Sequence, residues 1–362
     1  MRIAVDAREL CGRPTGVGRY LAEIATVWRT LPTAASHEVV WCTNESLDSP
    51  LLDHPGWRIA VRAGRGPAWE QLAFPALARA AGADVLFAPA YSGPIISAIP
   101  VVVSIHDVSF AAHPEWFRLR EGLRRRMTTG AAAGRAATVL TLTEFSRREI
   151  HWHLGVPLDR IRVAAPGPSS LPRPAEVIRR DTILTVGSIF NRRHVPELIR
   201  GFSRLARRRP GLRLAIVGEN RTYPPLDIEA ERRRSPAAEQ IVLHNYVDDS
   251  ALATLYAEAR AFAFLSSYEG FGITPLDALT HQIPVLLLDT PVAREVFGDA
   301  ALYVSRPDAG LVADALERLV DDEAARAALQ AASVAVTSRY SWTTCATTVL
   351  TALEQAAERG GH

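Results

Sequence analysis

The sequence predicts an α/β protein made of two Rossmann-like, doubly wound parallel sheets, and three observations carry that prediction. Short β-rich runs recur along the chain with helical patterns between them. The length of 362 residues suits two domains, and a hydrophobic content of 48% is enough to fill two cores. The stretch Ala165-Pro166-Gly167-Pro168-Ser169-Ser170-Leu171-Pro172-Arg173-Pro174 divides the chain near its middle. It can continue neither a sheet nor a helix and reads as a semi-rigid linker. The expected domains are therefore 1–168 and 169–340, followed by a terminal helix over 341–362 with apolar Val349, Leu350 and Leu353.

Strands are expected at Ile3–Asp6, Val39–Thr43, Trp57–Val61, Val85–Ala88, Val101–Ile105, Val139–Leu142 and Ile161–Ala164 in the first half. In the second they are Ile183–Val186, Leu212–Val217, Ile241–His244, Phe262–Leu265, Val285–Leu288 and Leu302–Val304. Strands alternating with helices imply right-handed βαβ units, helices on both faces, and ligands at the carboxyl ends of the strands, in a cleft between the domains.

A net charge of +2 gives no support for general nucleic-acid binding. Cys11, Cys42 and Cys345 are far apart and lack metal-ligand spacing, which fits reduced structural thiols. Met1-Arg2-Ile3 runs straight into a predicted strand, so no leader is expected, and no apolar run approaches the ~18 residues of a membrane span. The expected location is the cytoplasm.

The most informative segment is Ser266-Ser267-Tyr268-Glu269-Gly270-Phe271-Gly272-Ile273-Thr274-Pro275-Leu276-Asp277. A glycine loop leading from a buried strand into a helix cradles anions, since free N–H groups and the positive dipole end face the ligand. Thr274 reads as the N-cap and Pro275 as the first helical residue. Glu269 and Asp277 bracket the loop, pointing to a phosphate-bearing ligand that also carries hydroxyls. Thr274-x-x-Asp277 equally fits a capping box that only holds the helix start.

This segment resembles the signature of family 4 glycosyltransferases of the GT-B fold, Glu-Gly-Phe-Gly with a second acid eight positions after the first. The likeness continues through Ile283-Pro284-Val285 and Arg294-Glu295-Val296-Phe297-Gly298-Asp299. It implies that Glu269 contacts the donor sugar and that Gly270, Phe271, Gly272, Ile273 and Thr274 bind the diphosphate through their backbone. It gives the ribose to Asp277, one methylene shorter than the family's Glu. It also implies a terminal helix that crosses back to the first domain.

The same resemblance places Gly187-Ser188-Ile189-Phe190-Asn191-Arg192-Arg193 at the donor site, with Arg193 standing where the family has Lys. Guanidinium groups there neutralise a leaving diphosphate. On residues alone, this reads as a solvated basic loop. Val247, after the strand at Ile241, matches the position that brackets the nucleobase. In the first half, Thr15-Gly16-Val17-Gly18-Arg19-Tyr20 is a second glycine cradle, so Gly16 and Gly18 are candidates for the phosphate or reacting sugar.

His106 sits at the end of a parallel strand and matches the His-Asp motif of a mannosyltransferase-like branch, which assigns it to sugar positioning; a satisfied structural histidine is the plain alternative. Asp107 reads as an orienter or cap. Thr143 or Ser146 reads as a helix cap.

No Asp-x-Asp motif appears, so neither a metal nor another cofactor is expected. The implied activity is retaining transfer of a hexose from a nucleotide sugar, with GDP-mannose preferred by resemblance, to a sugar, glycolipid or small-molecule acceptor. The run Arg118, Arg120, Arg124, Arg125, Arg126 is either a solvated helix face or a contact with an anionic acceptor or the inner membrane face. Rival readings are an epimerase or pseudo-glycosyltransferase of the same fold, or a sugar-binding protein without catalysis.

Overall fold

The computed structural model describes residues 1–12, 16–172 and 179–360. Thr15 of the first glycine loop and Arg173-Pro174 of the linker lie outside these. Each predicted run forms a strand. β1 (Arg2–Asp6), β2 (Glu38–Thr43), β3 (Trp57–Val61), β4 (Val85–Ala88), β5 (Val101–Ser104), β6 (Thr138–Thr141) and β7 (Ile161–Val163) build a seven-stranded sheet, ordered β3-β2-β1-β4-β5-β6-β7. β8 (Thr182–Val186), β9 (Arg213–Val217), β10 (Ile241–His244), β11 (Ala261–Phe264), β12 (Val285–Leu288) and β13 (Ala301–Val304) build a six-stranded sheet, ordered β10-β9-β8-β11-β12-β13.

Neighbouring strands are parallel throughout both sheets. Strands covered on both faces must be apolar almost without interruption, which is why β4, β5, β11 and β12 bury every residue. Ile105 and Ala164, expected inside strands, fall just past them. Their N–H groups still donate to Leu140 (2.8 Å) and Thr141 (2.7 Å), but the chain then turns into a loop.

Two compact units divide the chain. The first comprises Met1–Pro114, Leu119–Gly167 and the residues from Ser341 onward; the second comprises Glu115–Arg118 and Pro168–Tyr340. The terminal helix Trp342–Gly360 packs in the first unit, with Val349 and Leu353 fully buried and Leu350 nearly so. Each such side chain contributes about 2 kcal/mol of burial. Trp28 donates to the Ala346 carbonyl at 3.1 Å, fixing the helix in place.

Each sheet reverses its strand order once. In the first unit the reversal lies between β1 and β4, in the second between β8 and β11. The loops after those strands diverge to opposite faces and leave room for a ligand.

Candidate functional site

In the second unit, the loops after β8 and β11 flank the reversal and carry the motif residues. Gly187 follows β8 with φ 129°, a conformation that favours glycine. A Cβ there would lie 2.3 Å from Nη1 of Arg193, so the missing side chain is what lets the guanidinium lie across the strand end. The following helix spans Val195–Ala206. Pro210 disfavours helical backbone at Arg209, and the helix ends before it.

Arg193 donates from Nε to Glu269 Oε1 at 2.9 Å and from Nη1 to the Ser188 carbonyl at 2.9 Å. Arg192 donates from Nε to the Tyr268 carbonyl at 3.0 Å, and that nitrogen is 4.0 Å from the same Glu269 oxygen. Ser266 Oγ also donates to Glu269, at 2.9 Å. The guanidinium carbon of Arg192 lies 4.4 Å from the Phe190 ring and that of Arg193 lies 4.8 Å from Phe264.

The Arg193 and Glu269 side chains are each 16% exposed. Burial alone would raise the Glu269 pKa, but Arg193, Arg192 and the two hydrogen bonds outweigh it and hold the carboxyl below its usual range. The arrangement is therefore two cations around one ionised acid, with net positive charge.

Next to it, the helix Ile273–Thr280 begins two residues earlier than the sequence suggested. Gly272 is its N-cap at φ 106°, and no side chain caps it. Thr274 is therefore inside the first turn and Pro275 is not the first helical residue. A Cβ at Gly272 would press on Phe297 and Pro275 at 3.3 Å, so a Thr cap has no room to start the helix there. Pro275 lacks an N–H, which leaves Ile273 and Thr274 as amides at the open helix end. Phe271 is 3% exposed and packs edge-on to Tyr340, so only its backbone is available to a ligand.

Asp277 departs from the capping-box reading. It is 3% exposed and accepts from Ser169 N–H at 2.6 Å and Ser169 Oγ at 2.8 Å. A capping box would turn it to the helix start; instead it anchors the linker segment. Val247 is half-buried between β10 and the Asp248 N-cap of the next helix. β10 itself lies two strands, about 10 Å, from β8.

In the first unit, Gly16 at φ 50° is the N-cap of the helix Val17–Trp28, and Gly18 is buried in its first turn. His106 follows β5 and is 8% exposed. Its Nε2 faces the Pro89 carbonyl at 2.9 Å, which requires the Nε2–H tautomer and leaves Nδ1 as an acceptor. The Tyr20 ring meets it edge-on at 4.8 Å and Tyr91 lies 5.4 Å away. Burial lowers the His106 pKa, only partly offset by the Pro89 hydrogen bond and Asp107, so the ring is neutral at pH 7.

Asp107 accepts from Ser109 N–H (2.8 Å) and Tyr91 Oη (2.8 Å). Thr143 is the N-cap of Glu144–Leu154, accepting from Ser146 N–H at 3.0 Å.

Sequence reasoning missed a polar cluster at the reversal between β1 and β4. Arg8 pairs with Asp6 (2.6 Å) and Glu70 (3.2 Å), and Ser92 donates to Glu70 at 3.0 Å. Glu70 sits on a π-helical turn, Trp69–Ala73, whose ring at Trp69 lies 4.4 Å from the Arg8 guanidinium. Only Asp6, the last residue of a strand, carried a local signal; the others are brought in from distant loops. Burial pushes the Cys42 and Cys345 thiols up to about 12, the behaviour of inert structural cysteines. Among the described residues, no three His, Cys, Asp or Glu side chains gather where they could share a metal ion, and no helix is long and apolar enough to cross a membrane.

Two Rossmann-like domains, each with one reversal of strand order, define a two-domain, doubly wound α/β architecture with ligand crevices at the strand ends. The family model described as Glycosyltransferase Family 4 matches residues 14–169, and that described as Glycosyl transferases group 1 matches residues 173–334. The chain belongs to the family 4 glycosyltransferases and has the GT-B fold.

It is similar to the O-antigen chain mannosyltransferase B of Escherichia coli, with 27% identity over 263 residues that span 69% of each chain. It is 29% identical over 167 residues to a GDP-mannose:cellobiosyl-diphosphopolyprenol alpha-mannosyltransferase of Komagataeibacter xylinus, covering 44% of this chain and 42% of that one. In fold it resembles Anabaena HepE, crystallised with UDP and glucose, at a TM-score of 0.75 and 16% identity over 98% of this chain and 99% of HepE.

Proposed function

We propose that this glycosyltransferase moves a hexose from a nucleotide-diphosphate sugar to a sugar, lipid-linked or small-molecule acceptor, with retention of anomeric configuration and without a divalent cation. The observation that carries the reading is the Arg192–Arg193–Glu269 group beside the open amides of Ile273 and Thr274, at the strand reversal of the second unit. When the bond from the anomeric carbon to the phosphate oxygen breaks, negative charge grows on the diphosphate. The guanidinium groups and the helix end stabilise it without reorganising. The acceptor oxygen then bonds to the anomeric carbon, and its proton passes to the departing phosphate.

Glu269, held ionised, is assigned to the sugar hydroxyls, and the neutral His106 to sugar positioning through Nδ1. Val247 is assigned to the base, Gly16 and Gly18 to the reacting groups. GDP-mannose is the preferred donor because similar proteins bear mannosyltransferase names, one with that donor.

The test is nucleotide release from GDP-mannose and from UDP-hexoses, with EDTA or magnesium, and proton NMR of the product. The expected result is acceptor-dependent GDP release, an α-linked product and indifference to EDTA. A β-linked product, or turnover abolished by EDTA, contradicts the reading.

A further inference from the structure

The helix Leu119–Arg135 of the first unit buries Gly122, Thr129, Ala132 and Ala133. These small residues bring it close to its neighbours and leave its large apolar side chains elsewhere. Leu119, Leu123 and Met127 are 86%, 57% and 65% exposed. Their four-residue spacing sets them in one stripe about 12 Å long. A single exposed leucine is ordinary, but three aligned on one helix face mark an interaction surface.

The arginines of this run sort into two kinds. At 100° per residue, Arg126 falls on one margin of the stripe and Arg120 and Arg124 on the other. Among the described residues, no hydrogen bond or ion pair engages the side chains of these three. Arg125 turns away from the stripe and pairs with Glu121, the helix's one acid, at 2.8 Å. Arg118 lies with its guanidinium carbon 5.9 Å from the Tyr223 ring.

We infer that this face docks on an anionic lipid bilayer. Leu119, Leu123 and Met127 enter the boundary between headgroups and acyl chains, and Arg120, Arg124 and Arg126 extend to the lipid phosphates. Charge complementarity selects this occupant. A second copy meeting the same face about a two-fold axis would set these arginines against each other. The inference is independent of the donor and of the chemistry proposed above.

The experiment is flotation of the full chain with vesicles of mixed phosphatidylglycerol and phosphatidylcholine, against phosphatidylcholine alone. The chain should float with the anionic vesicles only, and less so as salt is raised. Arg120→Gln, Arg124→Gln and Arg126→Gln should each lower the partition constant about fivefold, and Arg125→Gln should leave it nearly unchanged. Leu123→Ser with Met127→Ser, both at exposed positions, should lower it at least about tenfold. The inference is overturned by absence of flotation, by equal flotation with neutral vesicles, or by equal loss in Arg125→Gln and Arg124→Gln. It is also overturned if the wild type self-associates in sedimentation and the Leu123→Ser/Met127→Ser variant is monomeric.

Discussion

The two units hold their candidate polar groups in different ways. In the second unit, Arg192, Arg193 and Glu269 form a mostly buried charged group held by carbonyls and aromatic rings, and the carboxyl is kept ionised. In the first unit, His106 is an uncharged imidazole between Tyr20 and Tyr91, with one nitrogen committed to a carbonyl. The first arrangement is suited to meeting a multiply charged ligand, the second to orienting a neutral hydroxyl. Charge and neutrality here follow from packing: guanidinium groups outweigh burial at Glu269, and nothing of comparable strength does so at His106.

If the charged group meets the diphosphate, its removal has the largest effect. Arg192→Ala/Arg193→Ala should lower kcat/KM about 10³-fold. A fall in kcat/KM of less than tenfold, from initial rates, would separate these arginines from the leaving group.

Glu269→Ala leaves two mostly buried cations without their counter-charge and should cost about 3 kcal/mol of stability, read by urea denaturation. The sign of its pH dependence is fixed by the depressed pKa. The contribution of Glu269 is fully present above about pH 4.3 and is lost as pH falls through the lower folded value. An acid-unfolding profile unchanged in Glu269→Gln would contradict this.

His106→Ala should reduce kcat about 10²-fold with nucleotide affinity unchanged, sharpening the contrast with the arginines. Because its folded pKa is depressed, the acid limb of kcat in the wild type should lie below pH 6.5 if His106 governs it. A limb above that value assigns it to another group.

The smallest effect concerns Asp277. Ser169→Ala removes one hydrogen bond to it and should cost about 1 kcal/mol. Asp277→Asn should cost at least as much. Nucleotide affinity separates two roles: a fall in Asp277→Asn but not in Ser169→Ala keeps the ribose contact, and equal affinity in both leaves Asp277 as an anchor of the linker.

Much of this was legible in the sequence, for reasons tied to how each feature is built. The strands were readable because both faces of each sheet are covered, which forces runs such as Val101–Ser104 to be apolar throughout. Glu269 and the glycine loop were readable because they are contiguous, and Arg192 and Arg193 because they follow a strand end directly. The Gly272 cap was misplaced to Thr274, since propensity favoured the threonine while Phe297, brought close by the fold, leaves room only for glycine. The Ser169–Asp277 anchor and the Arg8–Glu70 pair join residues far apart in sequence, and no local pattern encodes them. The exposed stripe of Leu119, Leu123 and Met127 has helical spacing, but spacing alone does not tell a buried face from an open one.

The most direct test is calorimetric titration of GDP and UDP into the wild type and into Arg192→Ala/Arg193→Ala. The account predicts that the wild type binds one of these nucleoside diphosphates and that the variant, still folded, loses affinity at least about a hundredfold. Equal affinity in both proteins, or binding of neither nucleotide by the wild type, would contradict it.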